Sequence, residues 1–355
     1  MNIQSEADTM FERLGNASWF LHQQEAPWRP TSARSLVLDF PLGELYHYHP
    51  LPSVDPSGVP KPPMLIVYAM VNRPSILDLH PDTSTIRGLL EQGISVYLLE
   101  WKAPTVLHSA LGLGEYLHQS LDHCVDYMRD LSQAPKIDLM GVCQGGVFAL
   151  CYSAMFPKKI RALVTTVTPV DFHTADDTLS MWVRYLDLET VCEKGMNLSG
   201  AMLAQVFLTL KPMTLSIQKY LDLLDSATIK DSTNGQRMAE RFMAMEQWIE
   251  DSPDQPGRLF KEFVHQCYQQ NALCDGRLVL SEKAIDLRKL TMPVFNIYAS
   301  RDHLVPPDSS KALSSIVDAR LYEELAVETG HIGMFVGGRS LRQVPLAIAD
   351  FLKQL

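Results

Sequence analysis

The residues with the most chemistry in this chain stand in Ile137-Asp-Leu-Met-Gly141-Val-Cys143-Gln144-Gly145-Gly146, an apolar run that passes through Gly-x-Cys-x-Gly into a second apolar segment. A nucleophile between glycines on a sharp strand-to-helix turn projects from the backbone, because Gly141 and Gly145 remove side chains that would collide with neighbouring elements. Cysteine occupies the position where such turns more often carry serine. At a helix N-terminus the dipole and the unpaired backbone N–H groups favour a thiolate, and the N–H of Gln144 can donate to an oxyanion.

A thiol nucleophile needs a base, and in this arrangement an acid and then a histidine follow it along the chain, at the ends of later strands. Two positions fit that order. VFNIYASRDHLVPP sets Asp302 just after a strand ending near Ser300, and ETGHIGMF sets His331 in a glycine-flanked loop after a predicted strand from Arg320 to Leu325. His303 is the rival base, but neighbouring side chains on extended backbone point apart, so His303 is assigned a supporting place beside Asp302. A second oxyanion donor is expected from the loop after an early central strand, at the N–H of Val71 or its neighbour. Arg73, two residues on, could meet a substrate phosphate or pair with an acid such as Asp78.

These groups must be carried by an alternation of strands and helices. Met64 to Val71, Ser95 to Trp101, Ile137 to Val142, Ala162 to Val170 and Val294 to Ser300 are near-continuous apolar runs, as expected of parallel strands buried on both faces. Leu117, Leu121, Cys124, Val125, Met128 and Leu131 fall on one face of a helix, and a second helix is predicted from about Gly145 to Pro157. Strand, helix and strand repeated in this way predict an α/β doubly wound sheet. The alternation breaks after Asp171 and resumes near Thr291, across a stretch that reads as helix-rich. The predicted organisation is an N-terminal segment over 1–60, an α/β core over 61–172 and 291–355, and a cap over 173–290.

Composition removes several function classes. The 355 residues are 46% hydrophobic and 20% charged, which excludes a disordered or collagen-like chain. A formal net charge of -10, from 41 acidic and 31 basic side chains, gives no footprint for nucleic acid. Six cysteines without a Cys-x-x-Cys pair predict reduced thiols in a cytoplasm and neither a disulfide scaffold nor a zinc site. The opening MNIQSEADTMFERLG lacks the pattern of a signal peptide, and no apolar run approaches the roughly 18 residues of a membrane span. His47-Tyr48-His49 has no third ligand nearby and reads as an exposed strand, and no dinucleotide or P-loop fingerprint occurs, so neither metal nor cofactor is expected.

From about Pro62 onward the chain resembles the polyhydroxyalkanoate synthases. LIVYAMVNRPSILDL (Leu65 to Leu79), VYLLEW (Val96 to Trp101), GVCQGG (Gly141 to Gly146), TTVTPVDF (Thr165 to Phe172), MEQWIEDSPDQPG (Met245 to Gly257), DHLVPP (Asp302 to Pro307) and GHIG (Gly330 to Gly333) carry the likeness in order and spacing. Glu100 departs from the Asp expected before Trp101. The resemblance implies an α/β-hydrolase fold with a mostly parallel central sheet and an inserted helix-rich cap. It also implies a catalytic Cys143, Asp302 and His331, with oxyanion donors at Val71 and Gln144.

The activity so implied transfers (R)-3-hydroxyacyl groups, most often 3-hydroxybutyryl, from coenzyme A to a growing polyester through a Cys143 thioester, with no cofactor besides the thioester substrate. Either Asp302 activates the incoming 3-hydroxyl directly, or His331 does so while Asp302 orients it. Single-subunit members carry a much longer N-terminal domain than the segment here, and GVCQGG is more similar to the class III catalytic subunit than to the class IV subunit, which works with a PhaR-type companion. That implies a PhaE-type companion, a homodimer or hetero-oligomer, and a cytoplasmic location on polyester granules. The competing expectation is a Cys-type α/β-hydrolase, a thioesterase or dienelactone-hydrolase-like enzyme, which passes the same acyl group to water. A third is an inactive scaffold that binds acyl chains or granules.

Overall fold

Eight strands form the central sheet: β1 (Arg34–Phe40), β2 (Gly43–Tyr48), β3 (Met64–Val67), β4 (Val96–Trp101), β5 (Ile137–Val142), β6 (Ile160–Thr166), β7 (Val294–Ala299) and β8 (Tyr322–Val327). The structure is a computed structural model and describes residues 30–52, 62–210 and 233–355. The strands lie in the order β1-β2-β4-β3-β5-β6-β7-β8. They are parallel from β4 to β8, and the β1–β2 hairpin adds antiparallel at the β4 edge.

Alternation along each central strand feeds two apolar layers. Leu65 and Val67 of β3 and Ile137 and Leu139 of β5 join one cluster, while Met64, Ile66, Met140 and Val142 join the other. The first layer is closed by α2 (Asp122–Ser132) and α3 (Gln144–Met155). The second is closed by α1 (Thr85–Glu91) and α6 (Gly338–Lys353). Both faces of the central strands are therefore dry, which is why they appear in the sequence as unbroken apolar runs.

The chain between β6 and β7 carries short helices at Thr178–Val183, Leu188–Val191 and Gly200–Leu210, then α4 (Thr233–Glu250) and α5 (Gly257–Phe263). Trp248 of α4 enters the cluster of α1 and α6. From Leu259 onward the inserted segment shares the cluster of α2 and α3, with Leu259, Phe263, Cys267, Leu273 and Leu287 buried there. Of the predicted N-terminal segment and cap, residues 1–29, 53–60 and 211–232 lie outside the described residues.

Several boundaries differ from the sequence pattern. The run Met64 to Val71 is strand only to Val67, because the next backbone groups bond to side chains instead of a ladder: Trp101 Nε1 donates to the Tyr68 carbonyl at 3.1 Å, and Met70 N donates to Gln144 Oε1 at 2.9 Å. β6 starts two residues early, at Ile160, and stops at Thr166, before Val167 turns to φ 45°. The last strand begins at Tyr322, not Arg320, since Arg320 closes a turn on Asp318. Leu131 is 55% exposed in the last turn of α2 rather than on its buried face. β2 takes in His47 and Tyr48 of the exposed strand that the sequence predicts, but β1 has no counterpart among the predicted elements.

Candidate active site

β5 ends at Val142 and α3 begins at Gln144, so the whole strand-to-helix reversal falls on Cys143. Its backbone has φ 53° and ψ -123°, a conformation that a non-glycine residue holds only under strain. Two hydrogen bonds fix it: Cys143 N donates to the Thr166 carbonyl at 2.9 Å, and the Cys143 carbonyl accepts from Gly146 N at 2.9 Å. The reversal also needs close backbone approach. A Cβ on Gly141 would lie 2.4 Å from the Gly146 Cα, and one on Gly145 would lie 2.3 Å from the Val67 carbonyl oxygen. Cys143 is thus presented, half-buried, at the N-terminus of a twelve-residue helix. The other five thiols are all pushed upward by burial, Cys151 to about 12 and Cys274 to about 11, and none is poised to react.

Asp302 follows β7 and His331 follows β8, and the two meet. His331 Nδ1 lies 2.7 Å from Asp302 Oδ2, with both side chains buried. The other carboxylate oxygen, Oδ1, accepts the backbone N–H groups of Leu304 at 2.9 Å and Val305 at 3.0 Å. A proton on Nδ1 is thereby held toward Asp302, which leaves Nε2 to face Cys143. Burial alone would lower the imidazole pKa. The Asp302 carboxylate and the sulfur of Cys143, to which His331 also hydrogen-bonds, more than offset this and bring it to about 10. Cys143, His331 and Asp302 therefore form one connected set, brought together from three separate strand ends.

The loop after β3 lies directly on the head of α3. Met70 N–H is taken by the Gln144 side chain, whereas the N–H groups of Val71 and of Gln144 have no acceptor among the described residues. Both N–H groups are thus left without a protein acceptor there. The loop is tied on its far side to α4: Trp248 Nε1 donates to the Arg73 carbonyl at 2.7 Å, and Asn72 Nδ2 donates to the Trp248 carbonyl at 3.3 Å and to Ser252 Oγ at 3.1 Å. Ala244, Met245 and Ile249 of the same helix pack, with Cys143 and Ile332, against the cluster of α1 and α6. Sequence pattern gave no sign of these ties, since each joins positions more than 170 residues apart.

Other expected residues fall elsewhere. Arg73 donates to Asp251 at 3.2 Å, not to Asp78. Asp78 is buried and saturated by Thr31, Ser32 and Ser84. His303 is half-buried on the Asp302 loop, and it is His331 whose ring meets the carboxylate. His47 stacks on Tyr97 with ring centroids 4.3 Å apart, and His49 pairs with Ser35 at 2.7 Å. Glu100 pairs with Arg34 across the hairpin edge. Among the described residues no group of three or more His, Cys, Asp or Glu could hold a metal ion, and no helix is long and apolar enough to cross a membrane. Tyr68, which sequence pattern did not single out, is buried close enough to Cys143 that burial first and the sulfur second raise its pKa.

The sequence profile of the alpha/beta hydrolase fold matches residues 62–338. The PhaC subunit of poly(3-hydroxyalkanoate) polymerase from Allochromatium vinosum is 44% identical over 302 residues, which cover 84% of this chain and 83% of that one. This chain belongs to the PhaC family. The Thiocystis violacea subunit is 43% identical, with 87% and 85% of the two chains covered, and that of Synechocystis sp. is 40% identical, with 82% and 78% covered. As a PhaC family member the chain has the α/β-hydrolase sheet, and solved structures bear on the fold alone. A bacterial membrane phospholipase A matches at 13% identity and a TM-score of 0.51, over 91% of this chain and 87% of that one. A thermophilic esterase from Thermogutta terrifontis matches at 12% and 0.50, over 91% and 99%.

Proposed function

We propose that this chain is the catalytic subunit of a two-component, class III poly(3-hydroxyalkanoate) polymerase, in which Cys143 carries the growing polyester as a thioester. The observation that carries this reading is the convergence of His331, oriented by Asp302, on a cysteine held in a strained elbow, in a chain so similar to PhaC subunits. The substrate is a (R)-3-hydroxyacyl-coenzyme A, with 3-hydroxybutyryl the first choice. No metal or further cofactor enters the scheme.

In this scheme the proton of Cys143 rests on His331 Nε2, and the thiolate attacks the thioester carbonyl. The tetrahedral oxyanion is met by the N–H groups of Val71 and Gln144, and coenzyme A leaves with the proton from His331. Exchange of one thioester for another is nearly isoenergetic. An acyl-serine would be an ordinary ester, and its transfer to a hydroxyl would lose the driving force that a thioester keeps. The 3-hydroxyl of the next 3-hydroxyacyl-coenzyme A then attacks the acyl-cysteine, a base accepts its proton, the Cys143 thiolate leaves, and the lengthened chain on coenzyme A returns to Cys143 by the first step. Asp302 already takes three hydrogen bonds of the roughly four a carboxylate can accept. That favours His331 as the base in both steps, with Asp302 holding its tautomer.

Water competes with the 3-hydroxyl, so the acyl-enzyme must be shielded. The inserted segment supplies apolar surface for this, through Ala244, Met245 and Ile249, which pack against the same cluster as Cys143. In this scheme the cap shields the thioester and opens when a PhaE-type companion or a second copy binds. The polymer tethered to Cys143 would bring the cytoplasmic protein to a granule surface.

The test follows coenzyme A release from (R)-3-hydroxybutyryl-coenzyme A by purified protein, alone and with a PhaE-type companion, while polymer and free 3-hydroxybutyrate are assayed. Insoluble polymer, increased by the companion and absent in Cys143→Ala, is the expected result. Free acid as the sole product would make the protein a thioesterase, and no release under either condition would overturn the reading.

A further inference from the structure

Gln144 has two polar groups on opposite sides of the proposed oxyanion site. Its backbone N–H heads α3 beside the nucleophile, and its buried side chain reaches back to accept Met70 N–H at 2.9 Å. That bond spans 74 positions and ends on the residue immediately before Val71. The same stretch of loop presses on α3 at Gly145, where a Cβ would lie 2.7 Å from the Tyr68 carbonyl carbon. Contact at Gly145 limits how near the loop can come, and the Gln144 oxygen fixes its rotation. The fold requires only a backbone N–H at position 144, so a long polar side chain buried there calls for a separate account.

We propose that the Gln144 side chain is a positioning residue for catalysis: it captures Met70 N–H so that the Val71 and Gln144 N–H groups are held as one oxyanion site. This rests on the thioester reading above. The two donors come from different strands, and an oxyanion gains from both only if their separation is fixed before charge develops. A direct bond from the nucleophile's own helix to the donor loop does that with one contact. A buried Met70 N–H deprived of its acceptor would turn toward another, and Val71 would turn with it.

The experiment compares Gln144→Met and Gln144→Glu with the parent protein, by coenzyme A release from (R)-3-hydroxybutyryl-coenzyme A in the presence of the companion and by alkylation of Cys143 with iodoacetamide. Alkylation reads the thiolate but forms no oxyanion. Gln144→Met removes the acceptor at similar volume and is expected to lower kcat by about 10- to 100-fold with KM and the alkylation rate unchanged, the scale of an approximately 1 Å misplacement. Gln144→Glu keeps an acceptor oxygen for Met70 N–H and is expected to turn over faster than Gln144→Met, although its added charge opposes both the thiolate and the oxyanion.

A parental kcat in Gln144→Met would overturn the proposal, as would a fall in kcat matched by an equal fall in alkylation. Should Gln144→Met fail to fold, Gln144→Ala decides: a kcat within about threefold of the parent overturns the proposal, and a loss of about tenfold or more with the alkylation rate unchanged upholds it. Cys143→Ala is run alongside. Coenzyme A release surviving in that variant would remove the thioester reading itself, and the proposal with it, an outcome distinct from any behaviour of the Gln144 variants.

Discussion

Trp248 and Arg73 are joined at 2.7 Å by an indole N–H donated to a backbone carbonyl, which bonds a helix of the inserted segment to the loop that carries Val71. Trp248→Phe removes that donor and keeps most of the apolar volume. We expect a loss of about 1–2 kcal/mol in urea unfolding, the scale of one buried hydrogen bond with its acceptor left bare. A larger effect is expected in product partitioning. With α4 loosened from the loop that carries Val71, the ratio of free 3-hydroxybutyrate to polymer should rise. An unchanged ratio together with an unchanged unfolding midpoint would show that the bond serves neither.

Asp302→Asn tests the tautomer argument. An asparagine carbonyl can still accept from Leu304 and Val305, which leaves its NH2 group toward His331 Nδ1. That arrangement puts the imidazole proton on Nε2, where it can no longer take the thiol proton. The expected fall in kcat is about 10²- to 10⁴-fold, by analogy with the same change in serine triads. Iodoacetamide should also react more slowly with Cys143 at neutral pH, since the thiolate loses its partner. Equal alkylation rates would mean that Asp302 acts on a later step only.

His331 also sets a pH signature. Its pKa is about 10 in the folded protein, where burial is outweighed by Asp302 and Cys143, against roughly 6.5 for an unperturbed histidine. A pKa raised on folding means that the imidazolium stabilises the native state. That contribution is complete below about pH 6.5 and is lost as pH climbs toward 10. The urea midpoint of the parent should therefore fall more between pH 7 and 10 than that of His331→Gln, in which all other titrating groups are retained. Parallel curves would refute the charged pair.

The elbow was readable because its determinants are local: a buried parallel strand is an apolar run, and Gly141, Cys143 and Gly145 lie within five positions. β5 spans Ile137–Val142 as its residues predict, and Asp302 and His331 follow β7 and β8 in the expected order. β1 was not readable, although the exposed strand expected at His47 and Tyr48 belongs to β2. Strand Arg34–Phe40 leaves most side chains partly exposed at the sheet edge, so neither an apolar run nor strict alternation marks it. The Gln144 side chain and Trp248 were missed for another reason. Their partners at Met70 and Arg73 are 74 and 175 positions away, beyond any local periodicity.

Gly145→Ala opposes two effects of known sign. Alanine favours a helical position over glycine by about 1 kcal/mol, and Gly145 has no positive φ that would forbid the change. Against this, the new methyl would stand 2.3 Å from the Val67 carbonyl oxygen and 2.7 Å from the Tyr68 carbonyl carbon. Both are backbone atoms at the end of β3, so neither can rotate away as a side chain could. The loop must retreat by about 1 Å, at a cost of about 1–3 kcal/mol for overpacking, and the clash outweighs the helical gain. Since the same loop carries Val71, kcat should fall further than stability alone implies, by about 10²-fold. Gly195→Ala provides the contrast, because a Cβ there meets nothing within 4 Å and only its φ of +81° is strained. Equal activity in the two variants would mean that the Val67–Met70 backbone does not position the oxyanion site.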